Sequence, residues 1–158
     1  VSGPTSSVVH ARRTEQVLLQ LIGEARHDIL LLTFGLQMHD DLRTALTAAT
    51  KRGVTITILA EDPADNPGFN GNPANALANV AVRRLRWPAN QRPVAGAALH
   101  AKVVVIDATT ALITSANLTK RAAGDNIEVG DLIRGEDVPE RLTAHDNRLL
   151  QQSVLTTA

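Results

Sequence analysis

Apolar side chains recur at helical spacing from Thr14 to Arg26, where Val17, Leu18, Leu21, Ile22 and Ala25 form one stripe. Thr14 stands where an N-cap belongs, ahead of Glu15 and Gln16. Ile29 to Phe34 is an unbroken apolar run of strand length, the pattern of a strand covered on both faces. A second helix opens at Asp40 and Asp41, continues through Leu42, Ala45, Leu46 and Ala49, and stops at Lys51, Arg52 and Gly53. Val54 to Leu59 is β-branched and alternating, hence a strand. This α-β-α-β order predicts helices packed on a mainly parallel sheet.

Polar punctuation then takes over. EDPADNPGFNGNPAN, about fifteen residues dense in Pro, Gly, Asn and Asp, must be loop, and loops of that length often carry function. A short helix is expected near Ala74 to Ala78, a strand over Val80 to Trp87 and a second loop at WPANQRPVAG. Leu99 to Ile106 and Ala111 to Ser115 form the pattern of an antiparallel pair joined by DATT, followed by a strand over Asn126 to Ile133. The tail from Val138 to Leu155 predicts a closing helix on Leu142, Leu149, Leu150 and Val154. The expected fold is a three-layer α-β-α domain with a mixed, largely parallel central sheet. Its expected limits are residues 12–158, after a flexible lead-in over residues 1–11.

Composition narrows the partners. The chain has 158 residues, one domain's worth. Sixteen Lys and Arg balance sixteen Asp and Glu, which excludes binding to a polyanion by bulk charge. Aromatics are 2% of the chain, too few for a stacking platform on single strands. There is no Cys, so thiolate metal sites and Cys nucleophiles are excluded. No apolar run approaches the roughly 18 residues of a membrane span. The first residue, Val1, suggests a trimmed or excerpted chain.

Chemistry concentrates in LHAKVVVID. Alternation puts His100 and Lys102 on one face of that segment and Asp107 on the other. An imidazole and an ammonium in an apolar strand need partners, because burying them unpaired costs several kcal/mol. Ser115 and Asn117 can reach the pair across the hairpin, and Glu128 belongs to the strand after it. Together these groups suit a phosphodiester. Lys102 can neutralise non-bridging oxygens, Ser115 and Asn117 can donate to them, and His100 can attack phosphorus or move protons near neutral pH. No second His or carboxylate stands at ligand spacing, so neither a metal nor another cofactor is expected.

His100-Ala101-Lys102, four residues, Asp107, six residues, then Thr114-Ser115-Ala116-Asn117 resembles the HKD signature of the phospholipase D superfamily. Glu128 falls where that family has a downstream acid, and Thr114 departs from the usual Gly. The resemblance spans about residues 12 to 157 and implies a phospholipase D-like fold. It implies His100 as the nucleophile forming a phosphohistidine, Lys102 and Asn117 as phosphate ligands, Ser115 in support, and Glu128 orienting His100. Asp107 would be structural. SANLTKRAAGDNIEVGDLIRG and RWPANQRP further resemble the phospholipase D-like component of DISARM-type bacterial antiphage islands, which implies cytoplasmic defence-complex proteins as partners.

In-line displacement needs one group attacking phosphorus and another protonating the leaving oxygen opposite. One His100 cannot do both. The other histidines, His10, His27, His39 and His145, lie outside any comparable motif, so a homodimer sharing one site is expected. Arg83, Arg84, Arg86 and Arg92 cluster with Trp87. Arg84 and Arg86 on one face are candidate nucleic-acid contacts, against the plainer reading of Arg residues paired with acids elsewhere. Lys120 and Arg121 are further candidates for phosphate contact or simple solvation, and the loop around Phe69 is a candidate gate. The expected activity is metal-independent phosphodiester cleavage of nucleic acid, DNA first. The alternatives are a phospholipid hydrolase or transphosphatidylase, and a non-catalytic nucleic-acid-binding subunit.

Overall fold

The computed structural model describes residues 13–119, 126–135 and 137–158. Its elements are α1 (Thr14–Glu24), β1 (Asp28–Thr33), α2 (Asp40–Lys51), β2 (Thr55–Ala60), α3 (Pro73–Ala76), β3 (Arg83–Arg86), β4 (Val103–Ile106), β5 (Thr110–Thr114), β6 (Gly130–Arg134), α4 (Asp137–Gln151) and β7 (Thr156–Thr157). The seven strands make one mixed sheet in the order β6-β5-β4-β1-β2-β3-β7. The expected lead-in, Lys120 and Arg121 lie outside the described residues.

Burial on both faces makes the three layers. On one face α1 and α2 bring Leu18, Leu21, Ile22, Leu42 and Leu46 against Ile29, Leu31, Ile56, Ile58, Val104 and Ile106. On the other, Leu142, Leu149 and Leu150 of α4 cover Leu30, Leu59, Leu85, Val105 and Ala111. Successive residues of β4 therefore serve opposite cores, which is why VVVI shows no polar alternation.

The sheet is less parallel than its opening elements predict. Only β1–β2 and β2–β3 run parallel, whereas β1–β4, β4–β5, β5–β6 and β3–β7 are antiparallel. The expectation of a largely parallel sheet fails because the second half of the chain is built of hairpins, which need no crossover helix. The β4–β5 hairpin closes on Asp107 and Ala108, both at positive φ (49° and 51°), with the Thr109 N–H donating to the Ile106 carbonyl at 3.0 Å. That is a type I′ turn made without glycine.

Several boundaries shift. Arg13 rather than Thr14 caps α1, and Thr14 is buried as its first helical residue. Of the expected strand Val80 to Trp87 only Arg83–Arg86 pairs, because Asn79 sits at φ 66° and turns the chain just before it. The expected strand Leu99 to Ile106 begins at Val103, level with Leu32 near the end of β1, so residues 99–102 continue beyond the sheet. β6 likewise starts at Gly130 rather than Asn126. The two-residue β7 carries no periodic signal and was not foreseen.

Candidate active site

The carboxyl ends of β1, β2 and β5 and the amino ends of β4 and β6 meet at one edge of the sheet, where α/β folds commonly place ligands. Just beyond β4, the Lys102 ammonium Nζ lies 3.2 Å from His100 Nδ1 and donates to the His100 carbonyl at 2.8 Å. The His100 side chain is exposed, and its ring packs 5.3 Å from that of Phe34, the residue after β1. Thr114 at the end of β5 donates its N–H to the Lys102 carbonyl at 3.0 Å, so the hairpin brings Ser115 and Asn117 to the same place.

Glu128 is buried. It accepts from the Ser115 hydroxyl and from Asn126 Nδ2, the latter at 3.1 Å. Ser115 Oγ in turn accepts the Val129 N–H at 3.1 Å. Within one chain Glu128 therefore orients Ser115, while His100 Nδ1 faces Lys102. The expectation that Glu128 holds the His100 ring is not met by the hydrogen bonds of a single copy, because the carboxylate is held by β5–β6 groups. Burial pushes the Lys102 ammonium below its ordinary value, and the nearby Glu128 charge opposes that shift.

Asn117 Oδ1 accepts the Gly35 N–H at 3.1 Å, which leaves the amide NH2 to donate outward. A Cβ on Gly35 would stand 3.4 Å from Asn117 Cγ, so the two segments lie in close van der Waals contact. Leu36 and Leu118 form an isolated bridge that ties these two segments together. At the place where the signature usually has Gly, Thr114 donates from Oγ1 to the Val129 carbonyl at 3.1 Å and accepts the Ala116 N–H at 3.0 Å. The residue facing it across the ladder is Gly130, where a Cβ would lie 3.2 Å from Thr114 Cβ.

Asp107 is at the far end of β4. Its carboxylate accepts the backbone N–H groups of Arg26 (2.9 Å), His27 (2.7 Å) and Asp28 (2.9 Å). Burial alone would raise its pKa. The three N–H donors and His27 outweigh that, and the net direction is down.

The arginines are corrected. Arg84 pairs with Asp62 at 3.5 Å, Arg86 with both oxygens of Asp65 at 3.0 and 3.1 Å, and Arg92 with buried Glu61 at 2.8 Å. Because β2 and β3 are parallel neighbours, the acidic stretch after β2 necessarily meets the basic stretch of β3. Arg84 and Arg86 are thus each paired with a carboxylate of the long loop, the plainer of the two readings the sequence allowed. Arg92 also stacks on Trp87, 5.3 Å from its ring.

Sequence reasoning missed Glu61 and Phe34. Glu61 is wholly buried, and its second oxygen accepts the Leu99 N–H at 2.7 Å, one residue before His100. The signal was available as a carboxylate directly following a strand that ends in a fully apolar run. The expected gate residue Phe69 is buried edge-on against Phe34, with ring centroids 5.0 Å apart, so the loop reaches His100 through an aromatic pair. Among the described residues no three His, Cys, Asp or Glu side chains gather as metal ligands, and no helix is long and apolar enough to cross a membrane.

Comparison with known proteins agrees with this geometry. The family described as "Cardiolipin synthase, PLD-like domain" matches residues 18–150. The chain is 34% identical over 101 residues to phospholipase D Z of Dictyostelium discoideum, covering 64% of this chain and 23% of that one. It is 27% identical over 140 residues to the DISARM protein DrmC of Bacillus paralicheniformis, covering 85% and 55%. The chain thus spans about a quarter and about half of these curated relatives. Its fold superposes on Nuc, a phospholipase D family member from Salmonella typhimurium, with a TM-score of 0.71 and 22% identity, over 91% of this chain and 90% of that one.

Proposed function

Since the chain belongs to the phospholipase D-like family, we propose that it cleaves phosphodiesters of nucleic acid, DNA first, without metal, through a phosphohistidine on His100. We infer further that it does so as a homodimer. The observation that carries the reading is the 3.2 Å His100–Lys102 pair at the sheet edge where Ser115, Asn117 and Glu128 converge.

The groups divide the work as follows. With an ammonium against Nδ1, the resting imidazole keeps its proton on Nε2. A bound phosphate draws Lys102 to its non-bridging oxygens, the ring gives its Nε2 proton to solvent and takes one up on Nδ1, and Nε2 is left with the attacking lone pair. Asn117 NH2 supplies a second donor to the phosphoryl oxygens. The P–O bond to the leaving alcohol breaks as N–P forms, and a protonated second His100 gives its proton to the departing oxygen. Water then attacks phosphorus, passing a proton back to that second ring as the N–P bond breaks, which returns both imidazoles to their starting states.

A dimer is supported by exposed apolar side chains beside the site. Ile127 and Val129, which flank Glu128, are 75% and 62% exposed, and Ile113 adds to them. Similarity to the DISARM protein DrmC motivates a role in bacterial antiphage defence, in the cytoplasm and alongside other defence proteins, a setting in which nucleic acid is the fitting phosphodiester. Arg84 and Arg86 no longer contribute to the nucleic-acid reading. The exposed Ile127 and Val129 equally favour a lipid interface, which keeps phospholipid hydrolysis or transphosphatidylation as the second reading.

A substrate panel of single- and double-stranded DNA, RNA and phospholipid micelles, run with EDTA, tests the choice. Cleavage of DNA, with a phospho-adduct on His100 that is lost in His100→Asn, is the expected result. Intact DNA and RNA beside hydrolysed phospholipid would overturn the nucleic-acid reading. Salt-sensitive binding of uncut polymer would leave only the role of a binding subunit.

A further inference from the structure

The face of the sheet opposite α1 and α2 contains a pocket of about 370 Å³ between α4 and the strands. Its walls are almost wholly apolar and include Leu32, Leu59, Trp87, Leu99, Leu142 and Leu149. Into it α4 brings Asp146, whose residue is only 5% exposed and whose Oδ2 has no hydrogen-bond partner. Buried carboxylate oxygens are normally satisfied, because an unpaired one forfeits its hydration without return. The only other ionisable residue at this pocket among the described residues is the adjacent His145, which is itself exposed. No Lys or Arg lines it.

What the pocket lacks is a cationic donor carried on a hydrocarbon body. Its volume lies within the usual range for small-molecule sites, roughly 300–1,000 Å³. We propose that this pocket binds a small organic cation, with an ammonium group on Asp146 and an aliphatic or aromatic body against Leu59, Leu99 and Leu149. The placement is independent of the reaction proposed above, yet it is physically adjacent to it. Leu99, Ala101 and Val103 form one wall, and the residues between them, His100 and Lys102, belong to the reactive pair. A bound body therefore rests directly behind the segment that carries the chemistry. Burial pushes the Asp146 carboxyl up to about 6, with His145 opposing, so most of it is ionised and able to receive a cation at pH 7.5.

Trp87, the one tryptophan of the chain, lines the pocket, so intrinsic fluorescence reads it directly. Titration with hexylammonium, hexanol and hexanoate at pH 7.5 isolates the head group while the body stays constant. The expected result is saturable binding of hexylammonium at least tenfold tighter than hexanol, with hexanoate excluded. Asp146→Asn should erase the difference between amine and alcohol, as charge-assisted pairing to a buried acid is worth a factor of ten or more. Leu142→Trp, which fills the pocket and leaves Asp146 in place, should abolish binding of both amine and alcohol. Equal affinity for amine and alcohol in the native protein, no saturable amine binding, or an amine preference that survives in Asp146→Asn would each overturn the proposal.

Discussion

At the scale of single residues, Asp146 and Lys102 titrate away from their ordinary ranges in opposite directions. Asp146 has a folded pKa of about 6, above the ordinary aspartate value of 3.8. The folded state then holds its proton more tightly than the unfolded state, so the contribution of Asp146 to stability is greatest in acid and falls as pH rises from about 4 to about 6. Above pH 6 the penalty is constant and on the order of 3 kcal/mol. Replacing Asp146 with Asn should flatten denaturant midpoints measured between pH 4 and 7 and raise the midpoint at pH 7. Lys102 is shifted downward by burial. If its charge holds phosphate, the alkaline limb of a pH–rate profile for DNA cleavage should fall below the ordinary lysine value of 10.5, and Lys102→Arg should move it upward.

Elements show what the sequence could and could not disclose. α1, β1, α2 and β2 were legible because each is a periodic or continuous apolar segment bounded by polar stops. His100, Lys102, Asp107, Ser115, Asn117 and Glu128 were legible as candidates because fixed spacing survives in the linear text. Their contacts were not, since Glu128 meets Ser115 and Asn126 only after β5 and β6 are paired. The pairing of loop acids with Arg84, Arg86 and Arg92 was also hidden, because it follows from β2 lying beside β3 and from nothing local. Among these pairs Glu61–Arg92 is the buried one. Glu61→Ala leaves a guanidinium without its counter-ion and frees the Leu99 N–H, and it should cost about 3–5 kcal/mol in chemical denaturation. The β4–β5 turn predicts a change in the other direction. Ala108 occupies the left-handed region that costs an L-residue about 1 kcal/mol, so Ala108→Gly should raise stability by about 0.5–1 kcal/mol in the same assay.

For the molecule as a whole, the balance of charge and the fold size acquire a different meaning. Charge is largely balanced around β3 too, where three of the four arginines, Arg84, Arg86 and Arg92, each have a carboxylate. Among the described residues, the Lys102 ammonium at the site edge is then a natural point of attraction for a polyanion, and a second copy would double it. If catalysis needs two copies of His100, specific activity should fall with dilution through the dimer dissociation constant, in step with the sedimentation coefficient. Ile127→Asp should move both midpoints to higher concentration, whereas activity independent of concentration in a monomeric sample would sink the shared site.

The clasp of Asp107 on the Arg26, His27 and Asp28 amides bears on alignment of the strands. β4 reads VVVI and the β1 residues opposite it read ILLL, so sliding one along the other by two residues would bury the same kinds of side chain. Hydrophobicity alone leaves that degeneracy open. A slip of two residues would carry His100 about 7 Å along the strand, far outside reach of Phe34 and the Asn117 amide. The carboxylate at one end of the strand is thus a register pin that fixes, across its full length, where His100 at the other end must stand.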